Sequence, residues 1–146
     1  MNWRRKMHLM CTALPRALHR HGFGIQSPWA YELIRDVLYE QLHYYAYEER
    51  NLRTPLQRQL FRIENHFRLH PMVVIDQTGQ EAVDMYEQTA EHATSDTVAV
   101  VEHADGRNAR LWQLAVDDPR AIITFDMGKR GLIVFDTARV KQNYLL

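Results

Sequence analysis

Residues 121–135 read Ala121-Ile122-Ile123-Thr124-Phe125-Asp126-Met127-Gly128-Lys129-Arg130-Gly131-Leu132-Ile133-Val134-Phe135. Two apolar runs, Ala121 to Phe125 and Leu132 to Phe135, flank a polar stretch that holds two glycines. Short continuous apolar runs bounded by turn residues mark strands buried on both faces. A connection this short joins only antiparallel neighbours, because a parallel return needs a crossover of a dozen or more residues. The segment therefore reads as an antiparallel hairpin that closes a sheet.

Upstream of the hairpin, Met72-Val73-Val74-Ile75 and Thr97 to Val101 read as two further buried strands. Between the strands, residues 80–92 and Asn108 to Val116 carry helical patterning. Strand, helix, strand, helix in that rhythm implies parallel strands joined by right-handed crossovers. The chain before residue 71 reads as helical. Trp3, Met7, Met10, Cys11 and Leu14 recur at helical spacing up to Pro15. Ser27 followed by Pro28 starts a second helix, expected to run to Tyr45 and to bury Trp29, Leu33, Ile34, Val37, Leu38 and Leu42. A third helix follows Thr54-Pro55, with Leu56, Leu60, Ile63 and Phe67 on its inner face. The expected organisation is one domain over 1–146, helical over 1–70 and α/β over 71–146, with a mixed sheet of four strands.

Composition agrees with an ordinary globular chain. A chain of 146 residues buries about 68–70% of its unfolded surface on folding, enough for one core without staples. No proline-, glycine- or serine-rich tract marks a linker, and the lone Cys11 cannot form an intrachain disulfide. The apolar stretch behind Arg4, Arg5 and Lys6 is broken by His8, Thr12 and Pro15, which does not suit a signal peptide. No apolar run approaches the ~18 residues of a membrane span. The expectation is a cytoplasmic protein with no membrane association. Charge is balanced overall but segregated: residues 1–25 carry five Arg or Lys and no acid, whereas 75–118 carry ten acids against Arg107 and Arg110. A basic arm can bind nucleic acid, but the interleaved aromatic and basic stripe that grips RNA is missing, so an intramolecular role for the arm is the expectation.

Asp76 and Glu102 stand where ligands bind in open α/β sheets, at the carboxyl ends of adjacent parallel strands. Acids also occur at strand ends simply because the chain leaves the core there. Of eight histidines, His66 and His70 are expected to share one helix face at i, i+4 and His19 and His21 flank an arginine, yet neither pair has a third ligand or a HExxH context, so no metal is expected. Cys11 lies among apolar residues that would not activate a thiol. Tyr39, Tyr44, Tyr45 and Tyr47, with His43 and Trp29, read as rings packing the second helix onto the sheet, or else as a lid over a substrate or a surface for a partner.

Several motifs carry a resemblance. His21-Gly22 to Ser27-Pro28-Trp29, Tyr44-Tyr45-Ala46-Tyr47-Glu48-Glu49 and Leu60-Phe61-Arg62-Ile63 to Asn65-His66-Phe67 resemble the N-terminal part of Bacteroidetes O-methyltransferase-like proteins, of the class I S-adenosylmethionine (SAM)-dependent methyltransferase superfamily. Trp112, Asp118-Pro119, Thr124-Phe125-Asp126, Gly131 to Phe135 and Lys141-Gln142 resemble their C-terminus, and a parallel unit ending in an antiparallel hairpin is the closing topology of that superfamily. The resemblance implies a truncated Rossmann-like, methyltransferase-like sheet, shortened in the middle. Where those enzymes have an acidic residue and a glycine-rich turn that admits the cofactor, this chain reads Ile75-Asp76-Gln77-Thr78-Gly79-Gln80-Glu81, with one glycine. Two alignments stay open. If 72–75 is the family's first strand, Asp76 takes the acidic slot and Glu102 the ribose hydroxyls. If it is the fourth, Asp76 belongs to a later Asp-Gly-Asn-His-like motif and Glu102-His103 stand near the family's paired aspartates. The residues implied for cofactor binding are Asp76, Gly79 and Glu102. The expected function is a non-catalytic derivative of the methyltransferase fold acting through protein contacts, with no cofactor. The alternative is a SAM-binding methyltransferase with an abbreviated pocket. Shortening the sheet should expose the strand at 72–75 as an edge, so a homodimer through that strand is expected, and nucleic acid is not an expected partner.

Overall fold

The computed structural model describes residues 16–22 and 24–146. The helix expected over Trp3 to Leu14 lies outside the described residues, as do Arg4, Arg5, Lys6 and Cys11. The chain forms two compact units, Met1–His66 and Phe67–Leu146, a division four residues before the expected helical-to-α/β junction.

In the first unit, residues 16–20 are helical and a turn through Gly22 leads to α1, Pro28–Leu33. Its start is as expected: the Ser27 hydroxyl accepts from the Ala30 amide at 3.3 Å, and Pro28 fills the first helical position. Its end is not. The helix widens into a π turn, Ile34–Leu38, where the Tyr39 amide reaches back to the Ile34 carbonyl, and stops seven residues before Tyr45. The cause is the third helix. Arg62 donates to the carbonyls of Val37 (2.6 Å) and Leu38 (3.1 Å), and Gln59 donates to Leu38 at 3.0 Å. The acceptors that another turn would use are already satisfied. Leu42, expected inside, is exposed in the connection that follows. A short α2, Tyr45–Glu49, precedes α3, Pro55–His66. Thr54 and Gln57 cap α3 reciprocally, the hydroxyl accepting from the Gln57 amide and the Gln57 side chain accepting from the Thr54 amide. Ile63 is buried as expected, but Leu56 is exposed and Gln59 is buried instead.

The second unit is a mixed α/β layer built on five strands, one more than expected. They are β1 Met72–Ile75, β2 Val98–Glu102, β3 Ile123–Asp126, β4 Arg130–Val134 and β5 Gln142–Leu145, with α4 Gly79–His92 and α5 Ala109–Asp117 between them. The sheet order is β1-β2-β4-β3-β5. β1 and β2 pair in parallel, β4 pairs antiparallel with both β2 and β3, and β5 pairs in parallel with β3. The hairpin forms where expected, and its return strand lodges between β2 and β3. The additional β5, Gln-Asn-Tyr-Leu, has an exposed first half and no apolar run to announce it.

Both helices cover one face of the sheet. Ala82, Tyr86 and Ala90 of α4, with Leu111, Trp112 and Ala115 of α5, close on Ile75, Ala99, Val101, Ile133 and Phe135. Gly131 is required by this packing: an added Cβ would lie 2.2 Å from the Trp112 ring. At the end of the sheet where β3 begins, the fully buried Tyr86 donates its hydroxyl to Asp118 at 2.9 Å, and Arg120 bonds the same carboxylate. Burial alone would raise the Asp118 carboxyl, but the Arg120 guanidinium and backbone amide and the Tyr86 hydroxyl outweigh it and hold it down at about 2. The same burial, with the hydrogen bond to Asp118, pushes the Tyr86 phenol well above its ordinary value.

Candidate site at the carboxyl ends of the strands

Asp76 follows β1 directly and Glu102 ends β2, so the two acids lie side by side at the carboxyl ends of adjacent parallel strands, as expected. Each already has a partner. Asp76 is 70% exposed and holds an oxygen 3.3 Å from His103 Nε2. Glu102 accepts from Arg130 Nε at 2.6 Å, its side chain 15% and that of Arg130 4% exposed. The register explains the second pair: Glu102 stands directly opposite Arg130 across the β2–β4 ladder, where opposite charges attract most. A third acid, Asp126 at the end of β3, accepts from the Trp112 indole at 3.2 Å and from the Gly128 amide at 2.9 Å.

Between the first two strand ends sits Asn108, only 2% exposed. Its Nδ2 donates to Gln77 O at 2.8 Å and to Glu102 O at 2.9 Å, which uses both of its amide hydrogens. The crevice where a ligand would reach the backbone is therefore filled by a side chain of the protein itself. In the sequence Asn108 shows only as the start of a helix. A short polar side chain just after Asp105-Gly106-Arg107 was its sole signal.

His103 adopts a left-handed backbone (φ 56°), uncommon outside glycine, though histidine is among the residues that tolerate it. Arg107 Nη2 lies 2.8 Å from its Nε2.

Gly79, the third expected residue, opens α4 with φ 66°, a conformation in which a side chain is strained even though an added Cβ would meet nothing within 4 Å. It lines a groove of about 360 Å³ between α4 and α5, together with Val83, Arg107, Arg110, Leu111 and Leu114. Asp76 and Glu102 do not line it. The structure thus brings the two acids to one sheet end and sets the glycine on a groove that they do not line, joined to that end through Asn108, which also lines it.

The remaining expectations divide. α3 ends at His66, so His70 does not share a helix with it. Instead the His70 ring meets Phe67 edge-on at 5.4 Å. Among the described residues no three His, Cys, Asp or Glu side chains gather to hold a metal ion, and no helix is long and apolar enough to cross a membrane. Tyr47 is buried within the helical unit, where its ring meets His43, Tyr44 and Phe61 edge-on and its hydroxyl accepts from Arg62, whereas Tyr45 is 74% exposed. Compared with protein-family models, curated proteins and solved structures, the chain matches none of them.

Proposed function

We propose that the chain is a non-catalytic derivative of the class I methyltransferase fold, related to the Bacteroidetes O-methyltransferase-like proteins and acting through protein contacts. A parallel pair closed by an antiparallel hairpin supports the kinship. The observation that carries the loss of chemistry is Asn108. Its amide holds the carbonyls of Gln77 and Glu102 while Arg130 holds the Glu102 carboxylate, so the groups that would meet a cofactor bind one another. A cofactor of SAM's size needs a concave site with several free polar groups, and fold kinship alone supplies none.

A second copy of the chain is the first contact we assign. Among the described residues β1 pairs on one side only, with β2, and its four apolar residues include no lysine to blunt the other edge. Pairing across a two-fold axis satisfies both edges at once. We also assign the protein to the cytoplasm, where a lone thiol stays reduced, and expect any nucleic-acid binding to be weak and nonspecific.

The runner-up is a SAM-binding methyltransferase with an abbreviated pocket, and one observation favours it: the groove beside Gly79, at about 360 Å³, falls within the roughly 300–1,000 Å³ of small-molecule sites. Calorimetric titration with SAM and S-adenosylhomocysteine separates the two readings. The expected result is no binding heat up to millimolar ligand. A micromolar dissociation constant, weakened by Asp76→Ala or Glu102→Ala, would establish the enzyme instead.

A further inference from the structure

Charge in Phe67–Leu146 is lopsided, with twelve acidic residues against eight basic ones. The groove between α4 and α5 has the opposite character. Among the described residues no carboxylate lines it, whereas two guanidiniums do, Arg107 and Arg110. The contact of Arg107 is with the His103 ring, and Arg110 makes no hydrogen bond or ion pair among the described residues. Both flank the start of α5, where cations oppose the helix dipole. A local rule broken without internal compensation is what functional surfaces show. Val83, Leu111 and the exposed Leu114 give the groove an apolar stretch of wall, beside the polar Gln80 and Asn108.

The form of the groove selects among anionic ligands. Gly79, Arg107, Arg110 and Leu114 on its rim are all exposed, whereas small-molecule sites enclose about 70–90% of their ligand. An open trough with an apolar wall and a cationic rim suits a segment of chain lying across it. We propose that this groove docks a short acidic segment of a partner protein: a hydrophobic side chain rests on Val83, Leu111 and Leu114, and flanking carboxylates meet Arg107 and Arg110. This rests on the reading that the chain acts through protein contacts, and it gives that reading a partner chemistry. The acidic remainder of the unit repels such a segment elsewhere, which directs it to the groove.

Fluorescence anisotropy of two labelled peptides, Glu-Asp-Leu-Phe-Asp-Glu and its amide twin Gln-Asn-Leu-Phe-Asn-Gln, titrated with the full chain, tests the proposal. The acidic peptide is expected to bind at least about tenfold more tightly, an advantage of about 1.4 kcal/mol that shrinks as salt rises. Arg110→Glu should abolish the preference and Leu114→Glu should weaken both peptides, while Arg68→Glu, away from the groove, should leave them unchanged. Arg110 and Leu114 are exposed, so these variants keep the fold, and circular dichroism verifies that. Equal binding of the two peptides, or indifference to Arg110→Glu, overturns the groove assignment alone. Micromolar SAM binding that displaces the peptide overturns both this assignment and the non-catalytic reading.

Discussion

Removing the Glu102 carboxylate tests whether that residue belongs to the architecture or to a ligand. In the folded protein Glu102 Oε1 lies 2.6 Å from Arg130 Nε, and the arginine side chain is 4% exposed on a central strand. Glu102→Ala takes one carboxylate partner from a buried guanidinium, and breaking a buried pair from one side costs up to about 3–5 kcal/mol. With an m-value of about 2 kcal/mol/M, that lowers the urea midpoint by roughly 1.5–2.5 M. Replacing both partners by apolar residues of similar size, Glu102→Leu with Arg130→Met, should recover most of the loss, because neither charge is then left behind in the sheet. Equilibrium urea unfolding followed by circular dichroism measures all three proteins. If Glu102→Ala lies within about 1 kcal/mol of the parent, the range of an exposed pair, the carboxylate is not holding the sheet together. It would then be free to meet a ligand, and the argument for a closed crevice fails.

Three other outcomes follow from the same geometry. The Asp118 carboxyl is held at about 2 in the folded state, against about 3.9 when unfolded. Its contribution is therefore complete above pH 4 and lost as pH falls from about 4 to 2, and urea midpoints across that range should fall less steeply in Asp118→Asn. Gly131→Ala drives a methyl into the Trp112 ring and should cost about 1–3 kcal/mol, as overpacking does. Thermal unfolding should show the cost largely relieved when Trp112→Leu is added, and additive losses would mean that the ring does not lie on the glycine. Light scattering after gel filtration should give twice the 17.3 kDa chain mass, and Val74→Lys on β1 should weaken that dimer more than a lysine on β5. A concentration-independent monomer would remove the assignment.

The parts of the fold legible in the sequence are those where burial writes a local pattern. β1, β2 and the hairpin strands are short apolar runs, and Ser27-Pro28 and Thr54-Pro55 announce helix starts through their own side chains. What escaped was decided by partners far away in the chain. α1 stops at the π turn because Arg62 and Gln59, more than twenty residues on, occupy its last carbonyls. β5 is a polar edge strand recruited by β3, with no pattern of its own. At the candidate site, the strand ends placed Asp76 and Glu102 correctly. Their engagement with His103 and Arg130 depends on register and loop geometry, which spacing does not encode. Asn108 was invisible for the same reason: the carbonyls it bridges, of Gln77 just past β1 and of Glu102 at the end of β2, come together only once the sheet has formed.

The place of β4 in the sheet also dictates an order of assembly during synthesis. β1 and β2 leave the ribosome early and can pair at once, yet the strand that covers the far edge of β2 is Arg130–Val134, some thirty residues later. Until then Val98, Val100 and Val101, among the most deeply buried residues of the finished protein, flank an open ladder of amides and carbonyls. β3 emerges in the interval but cannot close that gap, because in the finished sheet it reaches β2 only through β4. The nascent chain is thus most vulnerable to mispairing between residues 102 and 130, and a ribosome stalled there would hold an adhesive intermediate.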